Sequence, residues 1–167
     1  MRPSFDDYFM SIAYLIATRA TCDRKHVGAI LVKNMRLIAT GYNGSASGMP
    51  HCDGPQGHLL KEIEGKPSCV RTLHAESNAI DQAGSDSRLS KLYTTVIPCF
   101  DCAKRIVNAG IIEVVYAEYY ASRSTELVEQ YFADSPNCFL RKWEGQLIIP
   151  QAPEEVLKRT ARLQEGQ

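Results

Sequence analysis

One histidine and two cysteines constrain this chain most. His74 opens the run His74-Ala75-Glu76, and Cys99 and Cys102 sit in Pro98-Cys99-Phe100-Asp101-Cys102. Helical patterning surrounds each: Leu73–Ala83 reads as a helix ending before Gly84, and Pro98 precedes a helix over 99–109 closed by Gly110. Cys-x-x-Cys at a helix start turns both sulfurs toward one point, where the helix N-terminus favours thiolates. A fold that brings the two helix starts together offers Zn2+ three ligands, His74, Cys99 and Cys102, with a fourth position left for water. Two thiolates cancel the double charge of the ion, so a base is needed beside it. Glu76 lies two residues from His74 and off its helical face, so it reaches the water and substrate instead of ligating. A redox pair or a purely structural zinc site has no use for such a carboxylate.

The rest of the pattern reads as α/β. Residues 4–21 form an amphipathic helix with Ser4 as N-cap, Asp6 and Asp7 in the first turn, and Phe5, Phe9, Ile12 and Ile16 on one face. Val27–Lys33 and Leu37–Tyr42 read as a hairpin turning at Asn34–Arg36. Strands are expected at Lys91–Ile97 and Ile112–Ala117, helices at 124–133 and 154–163, and strand fragments near 137–140 and 146–149. Strands alternating with helices after an opening hairpin imply an α/β sandwich with a mixed sheet, in a single domain over 1–167. The interval 43–72 breaks the pattern: it holds five of the eleven glycines, with Pro50, Pro55 and Pro67. An irregular stretch that long inside a domain is usually functional or cross-linked.

Cross-linking is where the remaining cysteines enter. Of six, Cys22, Cys52, Cys69 and Cys138 are left. A second zinc held by Cys22, Cys52 and Cys69, with His51 or His58 as fourth ligand, would tie the long interval to the end of the first helix; Cys138 reads as a packed thiol. The acids in Met1–Asp7 do not suit a secretion signal, and no run of 18 apolar residues exists, so a reducing cytoplasm (a host's, if the chain is viral) and no membrane partner are expected. Nineteen basic residues balance nineteen acidic ones. That balance disfavours long nucleic acid, whose binding usually requires a basic excess; a small anion needs only local cations, for which Arg24 and Lys25 are candidates.

His-x-Glu followed by Pro-Cys-x-x-Cys is the signature of zinc nucleobase deaminases. At these residues, and at Cys22–Ala29, Thr40–Gly44, Thr72–Ile80, Cys102–Lys104 and Asn108–Ile111, the chain resembles the cytidine/deoxycytidylate deaminase superfamily and, within it, the deoxycytidylate (dCMP) deaminases, from about residue 5 to 120. The resemblance implies a three-layer α/β/α sandwich with a mixed central sheet. It implies hydrolysis of dCMP to dUMP and ammonia, a step that supplies thymidylate synthesis, with Glu76 shuttling protons to N3 and the leaving amino group. It further implies Asn43 and Tyr120 at the nucleotide, Cys22 and Cys52 on a second zinc, and homo-oligomers, often hexamers. Regulation by dCTP and dTTP, with Mg2+ accompanying a triphosphate, belongs to the same expectation. Ser77, where Met is common, and Ile97, unusual before the Pro-Cys pair, depart from the pattern; neither is expected to touch a ligand. Rival readings are a related deaminase acting on cytidine, guanine or tRNA adenosine, and a non-catalytic zinc-held assembly module.

Overall fold

The structure is a computed structural model that describes residues 2–63, 65–120 and 125–148. The helix expected over 154–163 lies outside the described residues. In chain order the elements are α1 (Phe5–Ala17), β1 (Gly28–Lys33), β2 (Arg36–Tyr42), β3 (Gly44–Ser45), β4 (Leu60–Ile63), β5 (Lys66–Cys69), β6 (Thr72–Leu73) and α2 (Ala75–Ala83). A 3-10 turn (Gly84–Ser87) leads to β7 (Lys91–Val96), α3 (Phe100–Asn108), β8 (Glu113–Glu118), α4 (Glu126–Ala133) and β9 (Phe139–Lys142). The main sheet runs β2-β1-β7-β8-β9. Its first two pairings are antiparallel and its last two parallel, so the mixed sheet expected from the sequence is present.

Strand side chains alternate between two cores, as the pleat requires. Ala29, Leu31, Leu92, Val114 and Tyr116 face α2, α3 and α4. Ile30, Val32, Tyr93 and Val115 face α1. Helices thus cover both sides of the sheet, giving three layers. Two glycines set the spacing. A Cβ on Gly41 in β2 would strike Ala75 O and lie 2.5 Å from Ala79 N, and one on Gly28 in β1 would strike Ala13 O and lie 2.6 Å from Ala17 N. The hairpin is therefore pressed backbone to backbone against α2 on one side and α1 on the other.

That close approach extends the expected face of α1. Phe9 is buried, and Ile12 and Ile16 pack half-buried against the same core, whereas Phe5 is 58% exposed; Met10, Ala13 and Ala17 are buried as well, and the alanines meet Gly28. Ser4 caps the helix as expected, its Oγ accepting from Asp7 N at 3.0 Å. The helix ends at Ala17, not at 21, because Thr18, Arg19 and Ala20 bond back three residues and turn the chain toward Cys22. The Leu73 start of α2 is corrected too: Thr72 and Leu73 pair with Ser45 and Gly44 as β6, and the helix begins at Ala75.

Residues 43–72 are less irregular than expected, since β4 and β5 form an antiparallel hairpin within them. Residues 146–148 are not a strand. Gln146 N donates to Asp7 Oδ1 (3.2 Å) and Ile148 N to Ser11 Oγ (2.8 Å), so this segment lies along α1. Among the described residues, no helix is long and apolar enough to cross a membrane.

Candidate active site

His74 and Cys99 occupy equivalent places: each is the extended residue before a helix, α2 or α3. Side chains at such positions often cap the helix; these two make no capping bond and turn to each other instead. His74 Nδ1 lies 3.3 Å from Cys99 Sγ and 3.3 Å from Cys102 Sγ. A tetrahedral zinc with ordinary bond lengths separates nitrogen from sulfur by roughly 3.6 Å. The three donors therefore fit that ion with small adjustment. The hydrogen bond from Cys102 brings the Cys99 thiol down to about 4, against the desolvating effect of burial.

Glu76, in the first turn of α2, is 4% exposed. Burial pushes its carboxyl above the ordinary carboxylate range, with His74 pulling the other way and Cys99 adding to the rise. A carboxyl buried so near three ligand atoms is costly unless used. Ser77 corrects one expectation. Its Oγ lies 3.8 Å from Cys102 Sγ, so the residue that departs from the family pattern does touch a ligand. Ile97 does not; it is buried, and its N–H donates to Glu118 O at 2.8 Å, fastening β7 to β8 at the floor of the site.

A cleft of about 350 Å³ opens over these groups. His74, Ala75 and Glu76 form one wall with Ile97, Pro98 and Cys99; Ile63 and Pro67–Cys69 of the β4–β5 hairpin face them. Arg24, Lys25, Asn43 and Tyr120 all line it. Asn43 has further duties, however. Its Oδ1 accepts from Val27 N (2.7 Å) and its Nδ2 donates to Lys25 O (2.8 Å), so the amide pins the segment before β1 and retains one donor and one lone pair for a ligand. Lys25 Nζ pairs with Glu118 Oε2 at 2.7 Å, and Glu118 Oε1 accepts from Tyr14 OH at 2.7 Å.

A second group of donors converges 43–72 onto the end of α1. Ligand atoms of Cys22, Cys52, His58 and Cys69 lie within 4.8 Å of one another. Cys52 Sγ is 3.5 Å from Cys69 Sγ, and Cys22 Sγ is 3.9 Å from His58 Nδ1. Around a tetrahedral zinc the corresponding separations are roughly 3.8 and 3.6 Å. The His51 alternative is set aside: it is exposed, outside the group, while His58 supplies the nitrogen. His58 Nε2 meets Asp23 Oδ1 at 2.8 Å, the carboxylate partner that orients many metal-ligating histidines. Burial opposes ionisation of Cys69, yet the His58 hydrogen bond and backbone N–H donors bring it down to about 6, while burial and the neighbouring Cys69 push Cys52 up to about 12. Cys138 is buried in the core beneath α4, as expected.

Sequence reasoning missed Asp23, Glu118 and Tyr14. Asp23 adjoins Cys22, but no spacing links it to His58. Glu118 meets Lys25 across 93 residues, a pairing that only the sheet order creates.

Residues 3–118 match the family model described as the cytidine and deoxycytidylate deaminase zinc-binding region. The chain is 43% identical over 134 residues to ComE operon protein 2 of Bacillus subtilis (strain 168), covering 77% of this chain and 68% of that protein. It is 41% identical over 125 residues to the deoxycytidylate deaminase of Saccharomyces cerevisiae, covering 72% of this chain but only 39% of the yeast protein. The fold matches the crystal structure of dCMP deaminase from the cyanophage S-TIM5 in complex with dCMP and dUMP. That match has a TM-score of 0.66 at 31% identity, over 86% of this chain and 99% of that one.

Proposed function

The chain belongs to the cytidine and deoxycytidylate deaminase family, and on that premise we propose that it hydrolyses dCMP to dUMP and ammonia. The observation that carries the reading is a fully buried carboxylate, Glu76, beside three convergent zinc donors at the base of a nucleotide-sized cleft. The yeast and cyanophage proteins, named for dCMP, support the choice of substrate. Zinc held by His74, Cys99 and Cys102 supplies Lewis acidity where water meets C4 of the ring. Glu76 takes a proton from that water as oxygen bonds to C4. It passes that proton to N3, then takes the second proton from the new C4 hydroxyl and delivers it to the amino nitrogen, and the C4–N bond breaks to release ammonia and leave the C4 carbonyl. Burial equips Glu76 for this by favouring its protonated form between transfers.

Cys22, Cys52, His58 and Cys69 hold a second, structural zinc in this reading, with Asp23 orienting His58. The chemistry belongs in the cytoplasm. Assembly into homo-oligomers, hexamers foremost, is carried from the family resemblance. Effector control by dCTP and dTTP, with Mg2+, is carried from the family resemblance alone.

Ammonia release from dCMP, dCTP, cytidine and deoxyadenosine, measured in parallel, tests the proposal; dCMP is the expected best substrate. Glu76→Gln should keep zinc and lose roughly 10²- to 10⁴-fold in turnover. Near-normal turnover in that variant would overturn the assignment of Glu76. An assembly module is the outcome if no nucleotide is deaminated by the zinc-loaded chain.

A further inference from the structure

Two permanently cationic side chains line the cleft, Arg24 and Lys25, and they are not equivalent. Lys25 is matched at 2.7 Å by the carboxylate of Glu118. Arg24 Nη2 donates to a carbonyl, Pro67 O, at 2.7 Å. A carbonyl orients a guanidinium without cancelling its charge, and four of its five N–H donors are left by that bond for a planar anion.

Both ends of the Arg24–Pro67 bond are anchored in the second cysteine group. Cys22 lies two residues before Arg24, and Cys69 two residues after Pro67; both contribute ligand atoms. Asp23, between Cys22 and Arg24, holds His58 Nε2 at 2.8 Å. Three consecutive residues are thus tied in turn to the ligand group, its histidine and the β4–β5 hairpin. Without that clamp, Arg24 is an exposed side chain on a loop and Pro67 belongs to a hairpin paired only with itself.

We propose that the Cys22/Cys52/His58/Cys69 clamp aims Arg24 at the 5′-phosphate, so that preference for the nucleotide over the nucleoside is set by a metal site outside the reaction centre. Asp23 is a positioning residue in this device. The inference rests on the dCMP reading and adds to it a function for the second zinc beyond stapling a loop.

The test is calorimetric binding of dUMP and deoxyuridine, which requires no turnover, together with zinc counts per chain. Wild type should hold two zinc ions and prefer dUMP. Arg24→Met should lose roughly tenfold or more in dUMP affinity and leave deoxyuridine unchanged. Cys52→Ser, at a position off the cleft, should hold one zinc and show the same selective loss, with no further loss in the double variant. Asp23→Ala alters an exposed side chain, so it reports even if the Cys52 variant fails to fold. Its selective loss should appear at limiting zinc and be restored by added zinc.

A wild-type ratio of dUMP to deoxyuridine affinity in a chain lacking the second zinc overturns the inference. So does a wild-type chain with one zinc, or an unchanged ratio in Arg24→Met. Failure of the zinc-loaded wild type to deaminate dCMP is a different result, and overturns the functional reading instead.

Discussion

Gly41→Ala and Gly28→Ala introduce the same methyl at mirror positions of one hairpin, and their consequences should part. Each Cβ meets helix backbone, which cannot rotate away as a side chain can. For Gly41 the Cβ would sit 2.5 Å from Ala79 N and closer still to Ala75 O, so reaching an ordinary 3.4 Å contact moves α2 by at least about 0.9 Å. Overpacking of this kind costs about 1–3 kcal/mol, or about 2–12 °C in Tm for a domain this size. Gly28→Ala should cost similarly, since its Cβ would sit 2.6 Å from Ala17 N in α1. But α2 carries His74 at its start and Glu76 in its first turn, whereas α1 carries no residue of the cleft. A displacement near 1 Å at reacting groups costs on the order of 10²-fold in rate. Gly41→Ala should therefore lose about that much kcat per folded molecule, while Gly28→Ala keeps kcat. Melting curves and single-substrate kinetics on both variants decide the matter. Equal kcat in the two, or wild-type Tm in either, refutes the steric reasoning.

Other outcomes follow from individual contacts. Lys25 holds the Glu118 carboxyl below its ordinary value of 4.5, so this pairing stabilises the fold fully above that pH and loses its effect as pH falls through the lower folded value. Glu118→Gln should thus be less stable than wild type at pH 7, with the gap narrowing as pH falls below 4.5; a gap that ignores pH in denaturant titrations would sink the argument. Ser77→Ala removes the hydroxyl at 3.8 Å from Cys102 Sγ and should weaken metal affinity roughly tenfold in chelator competition. Cys138→Ser buries a hydroxyl in an apolar core and should cost about 1–3 kcal/mol. It should change neither zinc content nor kcat, and a lost zinc would reassign that cysteine.

The three convergent donors, His74, Cys99 and Cys102, were legible in the sequence because each is local: Cys-x-x-Cys and His-x-Glu need only a helix start to converge. The sheet was legible too, since Ala29–Val32 and Val114–Ala117 are short apolar runs bounded by turns. The face of α1 was legible only in part: Phe9, Ile12 and Ile16 do pack on the core, but hydrophobicity ranks Ile12 and Ile16 above Ala13 and Ala17, and it is the alanines that are fully covered because Gly28 comes so close. His58 could not be chosen over His51 from spacing, as both lie in the same interval; the Asp23 contact distinguishes them. Glu118 was invisible because its partners, Tyr14 and Lys25, are brought to it only by the order of the strands.

The two walls of the cleft differ in how freely they can drift. One is α2 lying on Gly41 with no space between the backbones, so its position is dictated by the sheet below. The other is a two-stranded ribbon, with Leu60 and Ile63 open to solvent and Ile63, Pro67 and Ser68 lining the cleft. Residues between His58 and Cys69 contribute no strand to the main sheet. The side of the cleft beside Arg24 is therefore open to editing in one ribbon, with the glycine-backed wall left alone.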